Sequence, residues 1–244
     1  MKASFDATGE VVVITGGARG IGAALAQAVN AAGGTAVVFD VTPPAEGVEY
    51  VEVDVADRSA VEAAVAGVLE RHGRIDGLVA GAAVQPRSTV LEMDAAEWTR
   101  TLQVNLDGVV WACQAVVPQM VKRQSGSVVV FTSGLASTGY AGASAYAASK
   151  AALVAFAKSL AVEVAPDRVR VNVVAPGVID TDQFRTANGG ADREHWHDTI
   201  GIGDPDDVVG PLLFLLSDAA AMTGSVLARE RAFAKLTSFM SSTE

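Results

Sequence analysis

Tyr146 and Lys150 are the ionisable side chains of an alanine- and serine-rich segment, ASAYAASKAAL, at residues 143–153. On a helix, residues i and i+4 lie one above the other on the same face, so the phenol and the ammonium group would be neighbours. Such a pair is either surface decoration or a proton donor whose pKa is tuned by the adjacent charge. The elements that surround the pair decide between these two interpretations.

A glycine-rich turn follows the first apolar run of the chain. VVVIT, residues 11–15, leads into TGGARGIG, residues 15–22, which has glycines at 16, 20 and 22. Glycines at these positions let the backbone turn tightly and approach a pyrophosphate, which the N-terminus of a following helix stabilises. Because the spacing is TGxxxGxG rather than GxGxxG, the turn alone is weak evidence, and its context favours dinucleotide binding over a simple tight turn.

Asp40 ends the next apolar run, TAVVFD, where a carboxylate accepts hydrogen bonds from both hydroxyls of an adenosine ribose. A 2′-phosphate would repel it by roughly 4 kcal/mol per pair of unit charges, at about 4 Å and an effective dielectric near 20. The following VTPPAEG contains no Lys or Arg, and Arg19 is the nearby cation that argues the other way. The sequence therefore favours NAD over NADP.

Short β-branched runs alternate with alanine-rich helical stretches along the whole chain. The runs lack polar alternation, as in a parallel sheet that is covered on both faces. We predict strands at 11–15, 35–39, 50–53, 77–80, 127–131 and 170–174, and helices at 20–32, 58–72, 95–123, 144–165 and 205–217. This order predicts one doubly wound (Rossmann) α/β domain over residues 1–244, with a parallel sheet flanked by helices on both faces.

Composition excludes several classes of protein. The chain is 50% hydrophobic, which is ample for a core, and its formal net charge of -10 argues against a nucleic-acid partner. Its one cysteine, Cys113, fits a reducing compartment, and the opening MKASFDATGE has no apolar signal region. No apolar stretch is long enough to span a membrane. We expect a cytoplasmic protein with no membrane or nucleic-acid partner.

Together, TGGARGIG and the YAASK of residues 146–150 resemble the short-chain dehydrogenase/reductase family. SVVVFTSGLAS supplies a serine at the family's position, VNLDG an asparagine, VAPGVIDT a Pro-Gly turn with a threonine, and VEVDV an acid near the adenine. The resemblance implies four catalytic residues, namely Asn105, Ser133, Tyr146 and Lys150. It implies a cofactor site for NAD made of Gly16, Arg19, Gly20, Ile21, Gly22, Asp40, Asp54, Val55, Tyr146, Lys150, Pro176, Gly177, Ile179 and Thr181.

The chemistry of the family assigns a function to the Tyr146–Lys150 pair. Oxidation of an alcohol needs a proton acceptor, and free tyrosine, with a pKa of about 10, is a poor one at neutral pH. An ammonium about 4–5 Å away would favour phenolate by roughly 3–4 kcal/mol, or about two to three pKa units. We expect Lys150 to lower the pKa of Tyr146 in this way and to hold the nicotinamide ribose. By the resemblance, Ser133 hydrogen-bonds the substrate oxygen and Asn105 holds a water that relays protons.

Two stretches depart from the family pattern. The chain has AGAA at 80–83 where the family has Asn-Asn-Ala-Gly, which brings the stability of that loop into question. The C-terminal tail, about 226–244, lacks the usual Asp-Gly-Gly. Because that region often builds a subunit contact, the expected homodimer or homotetramer need not use the family's usual surfaces.

Substrate specificity in the family depends on the segment after the Pro-Gly turn, here about 178–203. That segment offers Phe184, Trp196 and Ile200, and Gln85 and Tyr140 are candidates from other loops. These side chains favour a mostly apolar secondary alcohol or ketone of medium size, while sugar-like and cyclic diol substrates stay open. The HWH at 195–197 is weak evidence for a metal, and we predict no metal site.

Three functions are consistent with these features. The first is an NAD-dependent oxidoreductase that interconverts a secondary alcohol and a ketone. The second is an NADPH-dependent 3-oxoacyl-carrier reductase, which Asp40 argues against. The third is a non-catalytic dinucleotide sensor, although such proteins usually lack the tyrosine or the lysine.

Overall fold

One seven-stranded sheet runs through residues 4–229, which are the residues that the computed structural model describes. Every neighbouring pair of strands is parallel, in the order β3-β2-β1-β4-β5-β6-β7. The strands are β1 (Val11–Thr15), β2 (Thr35–Asp40), β3 (Glu49–Glu52), β4 (Gly77–Ala80), β5 (Gly126–Phe131), β6 (Val169–Ala175) and β7 (Val226–Ala228). The six predicted strands are all present, and β7 was not predicted.

Helices cover both faces of this sheet. They are α1 (Gly20–Ala31), α2 (Arg58–His72), α3 (Ala95–Leu102), α4 (Gly108–Arg123), α5 (Leu135–Thr138), α6 (Ser144–Val164), α7 (Asp182–Ala187), α8 (Gly190–Thr199) and α9 (Asp206–Leu216). In β1, Val11 and Val13 pack into the core under α2, α4 and α6, whereas Val12 and Ile14 pack into the core under α1 and α9. Both faces of β1 are therefore buried, helices lie on both sides of the sheet, and the predicted doubly wound fold is confirmed.

The long helix predicted at 95–123 is wrong as one continuous α-helix. It is divided into α3 and α4 by a π-helical turn, Gln103–Asp107, which contains the buried Asn105. Single π turns inside α-helices occur frequently at functional sites, and an apolar pattern alone does not reveal them.

The segment 178–203, which we expected to be a loop, contains α7 and α8. Thr181 caps α7, because its hydroxyl accepts a hydrogen bond from the Phe184 amide at 3.2 Å. Asp180 contacts Arg185 of α7 at 3.0 Å and Arg193 of α8 at 3.2 Å, so one carboxylate ties the two helices together. We call residues 178–203 the lid.

Candidate active site

The glycine-rich turn leaves the carboxyl end of β1 and begins α1. Gly16 has a φ of +71°, and a Cβ there would lie 2.7 Å from the backbone of Ala82. A Cβ on Gly22 would lie 2.5 Å from the carbonyl oxygen of Gly16. Arg19, the residue at the N-cap of α1, makes no side-chain capping bond. The first amides of α1 are thus not capped by that side chain, which is the arrangement that binds a phosphate.

Asp40 lies at the end of β2, beside this turn. Its Oδ2 accepts a hydrogen bond from the Ala18 amide at 3.0 Å, and its Oδ1 accepts two from Thr42, each at 3.1 Å. A carboxylate has about four acceptor positions, so these three bonds leave one on Oδ2 for a ligand. Asp40 therefore keeps an acceptor position for a ribose hydroxyl, and its expected contact with both hydroxyls stays a prediction.

Asp54 follows β3 and is paired with a residue that was not predicted. Its Oδ2 is 2.8 Å from Nη2 of Arg100, and its Oδ1 accepts a hydrogen bond from the Ala56 amide at 3.0 Å. Burial opposes ionisation, but these two contacts outweigh it and hold the pKa of Asp54 below its usual value. The neighbouring Val55 is buried and lines the same cavity.

Ser133, Tyr146 and Lys150 come together where β5 ends and α6 begins. Lys150 is buried, and its Nζ donates to the carbonyl of Phe131 at 3.0 Å and lies 5.8 Å from the centre of the Tyr146 ring. Ser133 and Tyr146 line the same cavity as Lys150. The i, i+4 neighbours on α6 thus share a pocket with the serine that the resemblance identified.

The pKa of Tyr146 is raised in the chain without a bound dinucleotide, and its expected lowering by Lys150 and the cofactor stays a prediction. Burial raises the pKa of Tyr146 above its usual value, and the neighbouring Ser133 side chain and the charge of Arg87 offset this only in part. Burial also lowers the pKa of Lys150, to about 8. The physical reason is that desolvation disfavours both charged forms, an effect that the sequence estimate did not include.

Asn105 connects the π-helical turn to the loop after β4. Its Oδ1 accepts from the Val84 amide at 2.8 Å, and its Nδ2 donates to the Val84 carbonyl at 2.9 Å and to Ser149 at 3.1 Å. The side chain is therefore occupied by protein groups. The water-binding role expected for Asn105 stays a prediction.

The residues after β6 form the wall opposite α6. Gly177 has a φ of +77°, Ile179 is buried and pairs with Gly203, and a Cβ on Gly20 would lie 2.9 Å from Thr181. The Pro-Gly turn and the glycine-rich turn thus face each other. Pro176 and Ile21 also line the cavity between them.

Arg87 is a cavity residue that sequence reasoning missed. Its Nε donates to the Ala187 carbonyl at 3.0 Å, its Nη2 donates to Asn188 at 2.8 Å, and its guanidinium lies 4.9 Å from the centre of the Tyr140 ring. Its partners are about a hundred residues away in sequence, so no local pattern identifies it. Tyr140 in turn packs against Trp196 at 5.1 Å and donates to Asp192 at 2.8 Å, which fastens the lid.

A single cavity of about 1350 Å³ joins most of these groups, but the predicted Asn105 and Tyr140 are not part of its lining. It extends from the glycine-rich turn and Asp40 to the Ser133–Tyr146–Lys150 cluster. Phe184, Trp196, Ile200 and Gln85, which we expected to contact the substrate, line it as well. Its volume exceeds the roughly 300–1,000 Å³ of most small-molecule pockets, as a site for a dinucleotide and a second ligand requires.

The sequence of residues 10–191 matches the family model described as short chain dehydrogenase. The chain belongs to the short-chain dehydrogenase family. Its similarity to individual members of this family extends over most of its length. It is 34% identical to a 3-oxoacyl-(acyl-carrier-protein) reductase from Chlamydia pneumoniae, an alignment covering 90% of this chain and 94% of that protein. It is 35% identical to D-threitol dehydrogenase from Mycolicibacterium smegmatis, covering 89% and 90%.

Solved structures of short-chain dehydrogenases have the same fold. The ligand-free aldohexose dehydrogenase of Thermoplasma acidophilum superposes with a TM-score of 0.83 at 30% identity, covering 92% of each chain. The relatives thus include proteins named for carrier-linked acyl groups, for a polyol and for a sugar, and they share the architecture rather than one substrate.

The AGAA that departs from the short-chain dehydrogenase pattern is held by other side chains. The Thr15 hydroxyl accepts hydrogen bonds from the amides of Gly81 at 3.2 Å and Ala82 at 3.3 Å. Asn105 binds both backbone groups of Val84, the next residue along. These contacts hold the loop after β4 in place without the asparagines of the family pattern.

Three further expectations concern the periphery. In residues 4–229, no cluster of His, Cys, Asp and Glu is arranged to hold a metal ion, and His195 and His197 lie on α8. No helix in that range is long and apolar enough to cross a membrane. Of the atypical tail, 226–244, the structure describes β7 and Arg229, and residues 230–244 lie outside the described residues.

Proposed function

We propose that this short-chain dehydrogenase interconverts a secondary alcohol and a ketone, with NAD as its cofactor and Tyr146 as its general acid and base. The observation that carries the proposal is the continuity of the cavity, with Asp40 and the glycine-rich turn at one end and Ser133, Tyr146 and Lys150 at the other. The dinucleotide, when bound, supplies hydride exchange with the substrate carbon.

The protein's own groups have separate tasks in this scheme. The amides of the glycine-rich turn and α1 bind the pyrophosphate, and Asp40 binds a ribose hydroxyl. Tyr146 donates its proton to the carbonyl oxygen during reduction and removes the alcohol proton during oxidation. Ser133 holds the same oxygen as its charge changes. Lys150 favours loss of the Tyr146 proton when it is charged, which is why its pKa of about 8 matters.

The preference for NAD is supported by the charge of Asp40, whose one remaining acceptor position on Oδ2 suits a hydroxyl and repels a phosphate. Arg19 is exposed and lines the cavity. Its positive charge is the one that would stabilise a bound 2′-phosphate. The identity with the 3-oxoacyl-(acyl-carrier-protein) reductase favours the second candidate, an NADPH-dependent reductase of carrier-linked 3-oxoacyl groups.

We further propose a single-domain protein that assembles as a homodimer or homotetramer and acts in the cytoplasm. The continuous sheet from β3 to β7 supports the single domain. Sedimentation velocity of the full chain tests the assembly, and a monomer at micromolar concentration would refute it.

The test of activity is the initial rate of NAD⁺ and NADP⁺ reduction over a panel of secondary alcohols, with Tyr146→Phe alongside. We expect turnover with NAD⁺ and a loss of at least about 100-fold in the variant, because general acid–base catalysis contributes roughly 10²–10⁴-fold. Turnover with NADP⁺ alone would favour the carrier-linked reductase. Dinucleotide binding without turnover, together with an unaffected cellular role in Tyr146→Phe, would favour the sensor.

A further inference from the structure

Arg87 carries a positive charge for which the described residues provide no counter-ion. Its hydrogen bonds go to neutral acceptors, the carbonyl of Ala187 and the side-chain oxygen of Asn188. In the lid, by contrast, Arg185 and Arg193 both contact Asp180. A half-buried cation without a carboxylate partner is costly unless a ligand supplies the negative charge.

One nitrogen of the Arg87 guanidinium also lacks a hydrogen-bond partner. Nη1 is buried and unpaired among residues 4–229, while Nε and Nη2 are fixed by the lid. The ring of Tyr140 lies against the guanidinium, so the group has a defined orientation. A guanidinium held in this way is organised in advance to bind an anion through its remaining N–H groups.

The position of Arg87 relates it to the reacting end of the cavity. Arg87, Ser133 and Tyr146 line the same cavity, and the charge of Arg87 affects the phenol, whose pKa it lowers. Phe184 and Trp196 supply apolar surface nearby. A ligand whose hydroxyl contacts Tyr146 therefore has Arg87 and Lys150 as cationic neighbours and the apolar surface of Phe184 and Trp196 beside it.

We propose that Arg87 is a specificity-determining residue that binds a carboxylate of the substrate, so that the substrate is a short hydroxy acid or the corresponding oxo acid. The inference rests on the proposed function, because it identifies the substrate class of that same site. It distinguishes a free acid from the neutral thioester that a carrier-linked reductase would use.

The experiment compares kcat/KM for 2-, 3- and 4-hydroxy acids of four to six carbons with kcat/KM for their methyl esters. We expect the wild-type chain to prefer at least one acid over its ester. In Arg87→Gln the acid-to-ester ratio falls about 10- to 100-fold, as expected for the loss of one hydrogen bond to a charged group. Effects on Tyr146 or on closure of the lid change both substrates alike and cancel in the ratio.

Two control variants separate recognition from lid structure. Arg193→Gln removes a lid arginine while Arg185 still pairs with Asp180, and the ratio should stay at the wild-type value. Arg87→Lys keeps the charge without the planar fork, and the ratio should lie between those of the wild type and Arg87→Gln. Equal losses for acid and ester in Arg87→Gln would show that Arg87 only holds the lid, and would overturn the inference.

Failure of the inference and failure of the proposed function give different results. Turnover of esters or neutral alcohols, with no preference for any acid, overturns the inference and leaves the proposed function standing. Preference for a 3-oxoacyl thioester over the free oxo acid also overturns the inference, and it favours the carrier-linked reductase. No turnover of any alcohol, ketone, acid or ester with either dinucleotide overturns both.

Discussion

Tyr146 and Lys150 share one environment, which shifts their two pKa values in opposite directions. Burial raises the pKa of Tyr146 and lowers that of Lys150 to about 8, so both shifts favour the uncharged form. The i, i+4 spacing predicts that the two side chains are neighbours. It does not predict how strongly they are desolvated, because that depends on β5, the lid and the loop after β4.

Lys150 makes the stability of the fold depend on pH. Its pKa falls from 10.5 to about 8 on folding, so between these values the folded chain has lost a proton that the unfolded chain still binds. The free energy of unfolding therefore rises with pH across this window, by roughly 3 kcal/mol in total. Below about pH 8 the full cost of burying the charge is present.

The variant Lys150→Met isolates this effect. Urea denaturation at pH 7.5 and 9.5 should show the wild type gaining about 2 kcal/mol relative to the variant, because other titrating groups cancel in the comparison. The same pH dependence in both proteins would mean that Lys150 is not a buried charge in the free chain.

At the scale of the elements, the buried strands could be predicted from the sequence, whereas the break in the long helix and the helices of the lid could not. β1 and β4 have the predicted bounds because short β-branched runs without polar alternation are typical of strands covered on both faces. The π-helical turn at Asn105 was missed because the apolar pattern continues through it. Helices α7 and α8 were missed because Thr181 and Asp180 fix them through contacts rather than through an apolar stripe.

The residues of the candidate site also fall into those that the sequence identifies and those that it does not. Its motif residues could be identified because each stands at the carboxyl end of a strand or on the following helix. Arg87 and Arg100 could not, since they act through partners that are distant in sequence and a lone arginine has no periodicity.

The glycine-rich turn makes a prediction about the element that follows β1. Gly16→Ala should lower the free energy of unfolding by about 1–3 kcal/mol, because its φ of +71° is unfavourable for alanine and its Cβ would lie 2.7 Å from Ala82. Gly210→Ala is the matched control. Gly210 lies in α9 with open space around it, so alanine should stabilise the fold by about 0.5–1 kcal/mol. Equal effects of the two substitutions on thermal unfolding would contradict the close approach.

Binding at the dinucleotide end should stabilise the whole molecule. A ligand at 100 times its Kd adds about 2.7 kcal/mol to the free energy of unfolding, which is measurable as a rise in Tm. We expect NAD⁺ to raise Tm more than NADP⁺ at equal concentration, and Asp40→Asn to narrow this difference by removing the negative charge. A larger shift with NADP⁺ in the wild type would refute the proposed preference without any assay of turnover.

The strand order determines how substitutions at the two ends of the cavity combine. Asp40 belongs to the β3-β2-β1 half of the sheet, whereas Arg87 contacts the lid that follows β6, and the two residues share no hydrogen-bonding partner. Substitutions without shared partners usually combine additively, within about 0.3–0.5 kcal/mol. In a double-mutant cycle, Asp40→Asn and Arg87→Gln should therefore change kcat/KM by independent factors. Evolution can then change the specificity for the dinucleotide and the specificity for the alcohol separately. A substitution that alters recognition of one ligand leaves recognition of the other intact.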